Sequence, residues 1–154
     1  MAAQELLPGA RWYAVHRADA RLYALFRRHY SYRLNAPWRR PGNTNCVGPG
    51  APLCLLTVPG DAAFIWLHNT AERFDHQEGI CCTLFRNEGP YRASDLIREA
   101  EQLAWVRWPG ARLFTYVDAS QVPTEVAGYC FRRAGWKRTG KSLTGLLLFE
   151  KHSR

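Results

Sequence analysis

Apolar and polar residues alternate along several segments of the chain, and this alternation predicts strands. The clearest case is 112–118, where Leu113 and Val117 lie on the side opposite Phe114 and Tyr116. Other strand-like segments are short apolar runs, and a Pro-Gly-Asp step between two of them is typical of a hairpin turn. The pattern predicts strands at 11–17, 53–58, 63–68, 79–86, 112–118 and 143–150.

Helical spacing replaces the alternation in three other segments. Asp19 can cap a first helix, in which Leu22 and Phe26 share an apolar face. Ser94 can cap a second helix, which a Pro-Gly pair stops. The predicted helices span 19–31, 95–108 and 123–134, and a long loop rich in Pro, Gly and Asn spans 32–52.

This order of elements predicts one α/β domain over 1–154, with a mixed central sheet of about six to seven strands flanked by helices. A chain of 154 residues with 47% hydrophobic residues can bury one core. No apolar run approaches the ~18 residues of a membrane span, and no signal peptide is visible. Five cysteines without a CxxC pair argue against a disulfide framework or a zinc finger, so we expect a cytoplasmic protein without a metal site.

Positive charge is concentrated near the two ends of the chain. The net charge is +8, residues 11–40 hold eight Arg against one Asp, and residues 130–154 hold seven cations against one Glu. Arg binds phosphates through a planar fork and stacks on bases, so both regions predict contact with nucleic acid. A basic composition without function is the alternative. The candidate nucleic-acid-binding residues are Arg33, Trp38, Arg39, Arg40, Arg132, Arg133, Lys137 and Arg138.

The segment between the strand at 79–86 and the following helix is a candidate anion site. Helix N-termini offer free N–H groups, and the candidate cofactor-binding residues here are Arg86, Gly89, Arg92 and Ser94. Pro90 removes one N–H donor from this segment. An ordinary strand-to-helix turn with a Ser cap is the alternative interpretation.

His29, Tyr30 and Asp118 are the candidate catalytic residues. His29 and Tyr30 lie at a helix end that enters the long loop, and Asp118 ends a strand, where enzymes built on sheets often place working residues. Two structural interpretations compete with catalysis. His29 can be a core histidine on the apolar face of its helix, and Asp118 can cap a turn.

The element order and the block Phe131-Arg132-Arg133-Ala134-Gly135-Trp136 resemble the GNAT acyltransferases. In many GNATs a Tyr at the place of Phe131 reprotonates the thiolate of coenzyme A, a role that Phe131 cannot fill. Together with Arg27-x-His29-Tyr30-Ser31-x-Arg33 and a strand ending in Asp118, the chain resembles the phage Mom family.

The Mom resemblance implies a DNA-modifying transferase. It implies a GNAT-like domain that adds a carbamoylmethyl group to adenine N6 and shields phage DNA from restriction. The implied site residues are His29, Tyr30, Arg86 and Asp118. The implied partner is double-stranded DNA in the host cytoplasm, and the implied cofactor is acetyl-coenzyme A or another acyl or aminoacyl donor.

Such an enzyme must extrude its target base, because the adenine N6 of a stacked pair is inaccessible. Trp38, Tyr30 and Tyr32 could then stack on the base, and Asp118 or His29 would accept the amine proton. Two other classes stay open. One is an acyl-coenzyme A N-acetyltransferase acting on a small amine or a protein, and the other is a non-enzymatic nucleic-acid-binding module.

Overall fold

The computed structural model describes residues 4–5, 11–35, 42–121 and 127–154, with side chains described for 11–32, 42–121 and 127–154. The strands are β1 (Gln4–Glu5), β2 (Trp12–Val15), β3 (Ala51–Thr57), β4 (Ala62–His68), β5 (Ile80–Asn87), β6 (Leu113–Val117), β7 (Lys137–Lys141) and β8 (Leu147–Lys151). The helices are α1 (Ala20–Arg28), α2 (Tyr30–Asn35), α3 (Ala93–Arg107) and α4 (Tyr129–Arg133).

The strands form one mixed sheet in the order β1-β2-β3-β4-β5-β6-β8-β7. β5 and β6 run parallel, and the other neighbouring pairs run antiparallel. The predicted α/β class and the mixed sheet flanked by helices are therefore confirmed. The sheet has eight strands rather than six to seven, because it includes the two-residue β1 and the unpredicted β7.

The helices pack on the sheet over two separate apolar clusters. On one face, Leu22 and Leu25 of α1 are buried against β3, β4 and β5. On the other face, Leu96 and Ala100 of α3 are buried in a cluster that also includes α4. Two hydrogen bonds fix α3 to the sheet, from Trp12 Nε1 to the Leu96 carbonyl and from Trp66 Nε1 to the Ala100 carbonyl, both 2.9 Å long.

Only one of the two predicted helix caps is present. Asp19 Oδ1 accepts from the N–H groups of Arg21 (2.9 Å) and Leu22 (3.3 Å), which confirms it as the cap of α1. The Ser94 prediction is wrong, because α3 begins two residues earlier, at Ala93. Its N-cap is Arg92, which makes no side-chain capping bond, and Ser94 is buried in the first helical turn.

The predicted loop at 32–52 is wrong at its start, where α2 continues to Asn35. His29 interrupts the helix with φ −85° and ψ 144°, an extended conformation, and helical structure resumes at Tyr30. The α1–α2 junction therefore turns sharply at a candidate catalytic residue. Of the predicted helix at 123–134, residues 123–126 lie outside the described part, and α4 spans Tyr129–Arg133.

β7 was missed because its sequence has no apolar alternation. All of its side chains except Gly140 are exposed, and the strand is positioned by backbone pairing to β8. The strand predicted at 143–150 begins at Leu147 instead, so Leu143 lies in the turn between β7 and β8. No described helix has both the length and the apolar character needed to cross a bilayer.

The sheet opens between its two parallel strands. β5 and β6 pair from Ile80–Leu113 to Cys82–Thr115 and then part. Beyond this point β5 stays on β4 and β6 stays on β8. The register of β5 on β4 also shifts here, because Ile65 pairs with Leu84 and Trp66 pairs with Cys82. Thr83, between them, is the extra residue of a β-bulge beside the opening.

Candidate functional site

A cleft of about 450 Å³ lies where β5 and β6 part. His29 and Tyr30 from the α1–α2 junction line one side, and Tyr129 to Phe131 from α4 line another. Because α1 and α4 pack on opposite faces of the sheet, the cleft is bordered by both faces. Two molecules can therefore meet in it from different sides. The opening also places the cleft at the carboxyl ends of two parallel strands, a common position for ligand sites.

His29 is held neutral and in a fixed orientation. Burial, with a smaller contribution from the nearby positive charge of Arg86, lowers the pKa of His29 to about 4. Its Nδ1 accepts from the Ser31 N–H at 3.2 Å and lies 2.8 Å from Ser31 Oγ. Because Nδ1 is an acceptor, the neutral ring carries its hydrogen on Nε2. His29 therefore offers the cleft an N–H donor rather than a free base.

Tyr30 presents a protonated hydroxyl at the point where β6 ends. Its oxygen accepts from the Asp118 N–H at 3.4 Å, and its ring lies 4.2 Å from the His29 ring, tilted by 32°. Burial raises the pKa of the Tyr30 phenol, so it stays protonated at neutral pH. Since the oxygen is an acceptor toward Asp118, the hydroxyl hydrogen is available to a ligand.

Asp118 contacts Tyr30 through its backbone N–H, whereas its carboxylate is bound within a local turn. Oδ1 accepts from the Ser120 N–H at 2.9 Å and from Ser120 Oγ at 2.6 Å, which is the turn geometry of the alternative interpretation. The residue is half-buried and does not line the cleft. Of the three candidate catalytic residues, the structure brings His29 and Tyr30 together in the cleft and leaves the Asp118 carboxylate in its own turn.

The loop after β5 is poorly suited to bind a pyrophosphate. Arg86 Nε donates to Glu88 Oε2 at 2.6 Å, and Arg28 binds the same carboxylate through two bonds of 2.7 and 2.8 Å. These two guanidinium groups hold the pKa of Glu88 at about 2. The Gly89 N–H donates to Asn87 Oδ1 at 3.0 Å. The guanidinium group of Arg86 and the N–H group of Gly89 are therefore already bound to other groups of the protein.

The N-terminus of α3 provides a better place for an anion. Arg92, Ser94 and Arg133 line a second recess of about 410 Å³, which shares Tyr129 and Cys130 with the cleft. The exposed side chains of Arg92 and Arg133 add positive charge to the N–H groups of the first helical turn. The two cavities together can accommodate a ligand with an anionic end and a less polar reactive end.

The eight candidate nucleic-acid-binding residues fall into two groups. Trp38, Arg39 and Arg40 lie outside the described residues, and the side chain of Arg33 in α2 is likewise not described. Arg132, Arg133, Lys137 and Arg138 are all exposed, on α4 and β7. None of these four side chains has a carboxylate partner among the described residues. Within the described part of the chain, no three His, Cys, Asp or Glu side chains are grouped as a metal site requires.

Sequence reasoning missed the residues that join the two cavities. Tyr129 was not among the predicted site residues, yet its side chain is 59% exposed and lines both cavities. Cys130 lines both as well, and burial raises the pKa of its thiol. The signal that could have found them is their position immediately before Phe131, at the start of the block that resembles the GNAT acyltransferases. No protein-family model, no curated protein and no solved structure gives a significant match to this chain.

Proposed function

We propose that the protein is a transferase of the Mom kind, which modifies an exocyclic amine of a base in double-stranded DNA. The acceptor is adenine N6, and the transferred moiety is a carbamoylmethyl-like or other acyl-derived group. The observation that carries this proposal is the cleft between β5 and β6, bordered by α1–α2 on one face and by α4 on the other. Modified adenines would protect phage DNA from restriction nucleases.

The donor binds on the α3–α4 face. Its anionic end lies at the recess formed by Arg92, Ser94 and Arg133, and its reactive end reaches the cleft past Tyr129 and Cys130. Acetyl-coenzyme A or another acyl or aminoacyl donor would supply the activated group there. Arg86 and Gly89 are not assigned to the donor, because Glu88 and Asn87 already occupy them.

The extruded base enters on the α1–α2 face. Pockets for small ligands commonly measure about 300–1,000 Å³, and the cleft of about 450 Å³ lies within this range. The rings of His29 and Tyr30 lie over one another, with centroids 4.2 Å apart and a tilt of 32°, so a base can stack on the outer face of this pair. His29 contributes its Nε2–H as a donor to the ring nitrogens of the base, which are acceptors.

Tyr30 completes the proton balance of the transfer. The amine nitrogen loses one proton as it forms the new bond, and the leaving group gains one. A positioned hydroxyl can donate to the leaving group and recover a proton from the amine. Tyr30 is protonated at neutral pH, and its oxygen is held by the Asp118 N–H. It therefore fills the role left vacant by Phe131.

The test is nucleoside analysis by mass spectrometry of DNA from cells that express the protein. The wild type should produce a new adenine adduct, and Tyr30→Phe should reduce its amount by about a hundredfold, the lower end of what general acid catalysis contributes. Tyr13→Phe is the matched control, because Tyr13 lies on β2, away from the cleft, and should leave the adduct unchanged. Tyr129→Phe tests the competing hydroxyl of the cleft.

Two outcomes would contradict the proposal. No adduct with wild-type protein, combined with efficient acetyl transfer to a small amine, would favour the N-acetyltransferase. Full activity in Tyr30→Phe with loss in Tyr129→Phe would move the proton-transfer role to α4.

A further inference from the structure

The turn between β7 and β8 lies at the same end of the sheet as the cleft. Val117, the last residue of β6, pairs with Leu147, and Leu147 also pairs with Lys141 at the end of β7. Residues 142–146 therefore project from the edge at which the cleft opens. β7 is two strands from β6, so the turn is on the order of 10 Å from the cleft.

Leu143 stands at the tip of this turn and is 108% exposed, so it contributes nothing to the core. The turn that presents it is closed by hydrogen bonds from the Ser142 N–H to the Leu146 carbonyl (2.8 Å) and from the Leu146 N–H to Ser142 Oγ (2.9 Å). The Gly145 N–H adds a third bond to the Ser142 carbonyl at 3.0 Å. An apolar side chain is thus held out from the protein by a turn with three internal hydrogen bonds.

The hairpin that carries Leu143 is strongly basic. Lys137, Arg138 and Lys141 are exposed on β7, and the segment 137–149 contains no Asp or Glu. These three cations have no carboxylate partner among the described residues. Cationic side chains on the strand that leads to an apolar tip complement a duplex, whose phosphates flank a stack of bases.

We propose that the β7–β8 hairpin enters a groove of double-stranded DNA and inserts Leu143 between base pairs beside the target base. This inference rests on the proposed function and identifies how the duplex is opened. Apolar wedges such as leucine partly unstack neighbouring base pairs and bend the duplex. A wedge on the order of 10 Å from the cleft would act within about three base pairs of the extruded base.

A second exposed apolar side chain provides the matched control. Phe74 is 106% exposed, but its loop joins β4 to β5 at the other end of the sheet. That loop carries Glu72 and Asp75 and would repel phosphates. Neither Phe74 nor Leu143 is buried, so replacement of either by Ser should leave the fold intact.

The experiment measures anisotropy of a labelled 20-base-pair duplex, with 2-aminopurine as a reporter of unstacking. Leu143→Ser should bind about tenfold more weakly, the value of one buried leucine contact, and should lose the rise in 2-aminopurine fluorescence. The salt dependence of duplex binding should be the same for Leu143→Ser as for the wild type, because no phosphate contact is lost. Lys141→Gln should instead reduce the slope of log K against log salt by about 0.9. Phe74→Ser should behave as wild type.

Unchanged binding and unstacking in Leu143→Ser would overturn the inference, as would tighter binding of double-stranded RNA or single strands than of duplex DNA. Nucleoside analysis separates this result from the fate of the proposed function. An adduct formed equally by wild type and Leu143→Ser would keep the function and remove the wedge. Loss of unstacking in Leu143→Ser without any adduct in the wild type would keep the wedge and remove the function.

Discussion

The two basic regions of the chain look alike in sequence but differ in what their cations contact. In the N-terminal region, Arg28 binds Glu88 through two bonds, and Arg17 donates to the side chain of Asn45 and to the carbonyls of Val47 and Gly48. Arg11 and Arg21 also have carboxylate partners. The exposed cations of α4 and β7 have none among the described residues.

This difference separates cations that shape the protein from cations that can bind a partner. A guanidinium that is already paired must give up its carboxylate before it can neutralise a phosphate, whereas an unpaired one releases counterions directly. The net charge of a region does not distinguish paired cations from unpaired ones. Among the described side chains, the exposed cations of α4 and β7 are therefore the better candidates for DNA, although the N-terminal region carries more Arg.

Removing the C-terminal cations should give the largest effect on DNA binding. We expect the triple change to Gln at Arg132, Lys137 and Arg138, which leaves the donor recess of Arg133 intact, to reduce the salt slope by up to about 2.7, at 0.9 for each lost phosphate contact. At 0.1 M salt this corresponds to about five-hundredfold weaker binding. The measurement is duplex affinity across a range of salt concentrations.

The matched control for this change is the pair Arg21→Gln and Arg28→Gln. Both residues are exposed, and both are paired with carboxylates. The control should leave the slope nearly unchanged. If each cation removed lowered the slope of log K against log salt equally in both regions, the distinction between paired and unpaired cations would be wrong.

Replacing Arg17 by Ala should instead affect stability. Arg17 holds the segment 45–48 against the end of β2 through bonds of 2.8 to 3.1 Å. We expect the free energy of unfolding to fall by about 2 kcal/mol, the scale of hydrogen bonds to a charged group. Urea denaturation provides the measurement, and the salt slope of DNA binding should not change. Arg27→Ala, at an exposed position on the same helix face as Tyr23, should leave unfolding almost unaffected.

The sequence predicted the fold better than the site because the fold follows local patterns. Asp19 and the alternation at Leu113–Val117 were visible from spacing alone. β7 was invisible, since its place depends on backbone pairing to β8. The contact between Tyr30 and the Asp118 N–H joins residues 88 positions apart and uses a backbone group, so no residue pattern records it.

The same limit of local sequence patterns explains why the loop after β5 was predicted as an anion site although it is poorly suited to one. Arg86 and Gly89 fit an anion-binding pattern, but the pattern does not show that Glu88 and Asn87 would satisfy them first. Glu88 also binds Arg28, which is 60 positions away. Composition could have raised the doubt, because a carboxylate next to a candidate phosphate site competes with phosphate.

Glu88→Gln should release Arg28 of the N-terminal basic region, together with Arg86, so that both can bind phosphates as the unpaired cations of α4 and β7 can. Glu88 is the carboxylate partner of both Arg28 and Arg86, and it lies near the end of the sheet where the cleft opens. Neutralising it leaves two guanidinium groups that can bind phosphates. We expect the salt slope to steepen by up to about 1.8 and duplex binding at 0.1 M salt to tighten by up to about sixtyfold.

The control for this last change is Glu72→Gln, which removes an equal charge from an exposed carboxylate at the opposite end of the sheet. It should leave the slope unchanged, although it changes the net charge by the same amount. If both variants tighten DNA binding equally, overall charge rather than local pairing governs affinity, and the distinction between the two basic regions fails. If only Glu88→Gln does so, its carboxylate is what keeps Arg28 and Arg86 from phosphates. His29 should remain neutral in that variant, because the less compensated Arg86 can only lower its pKa further.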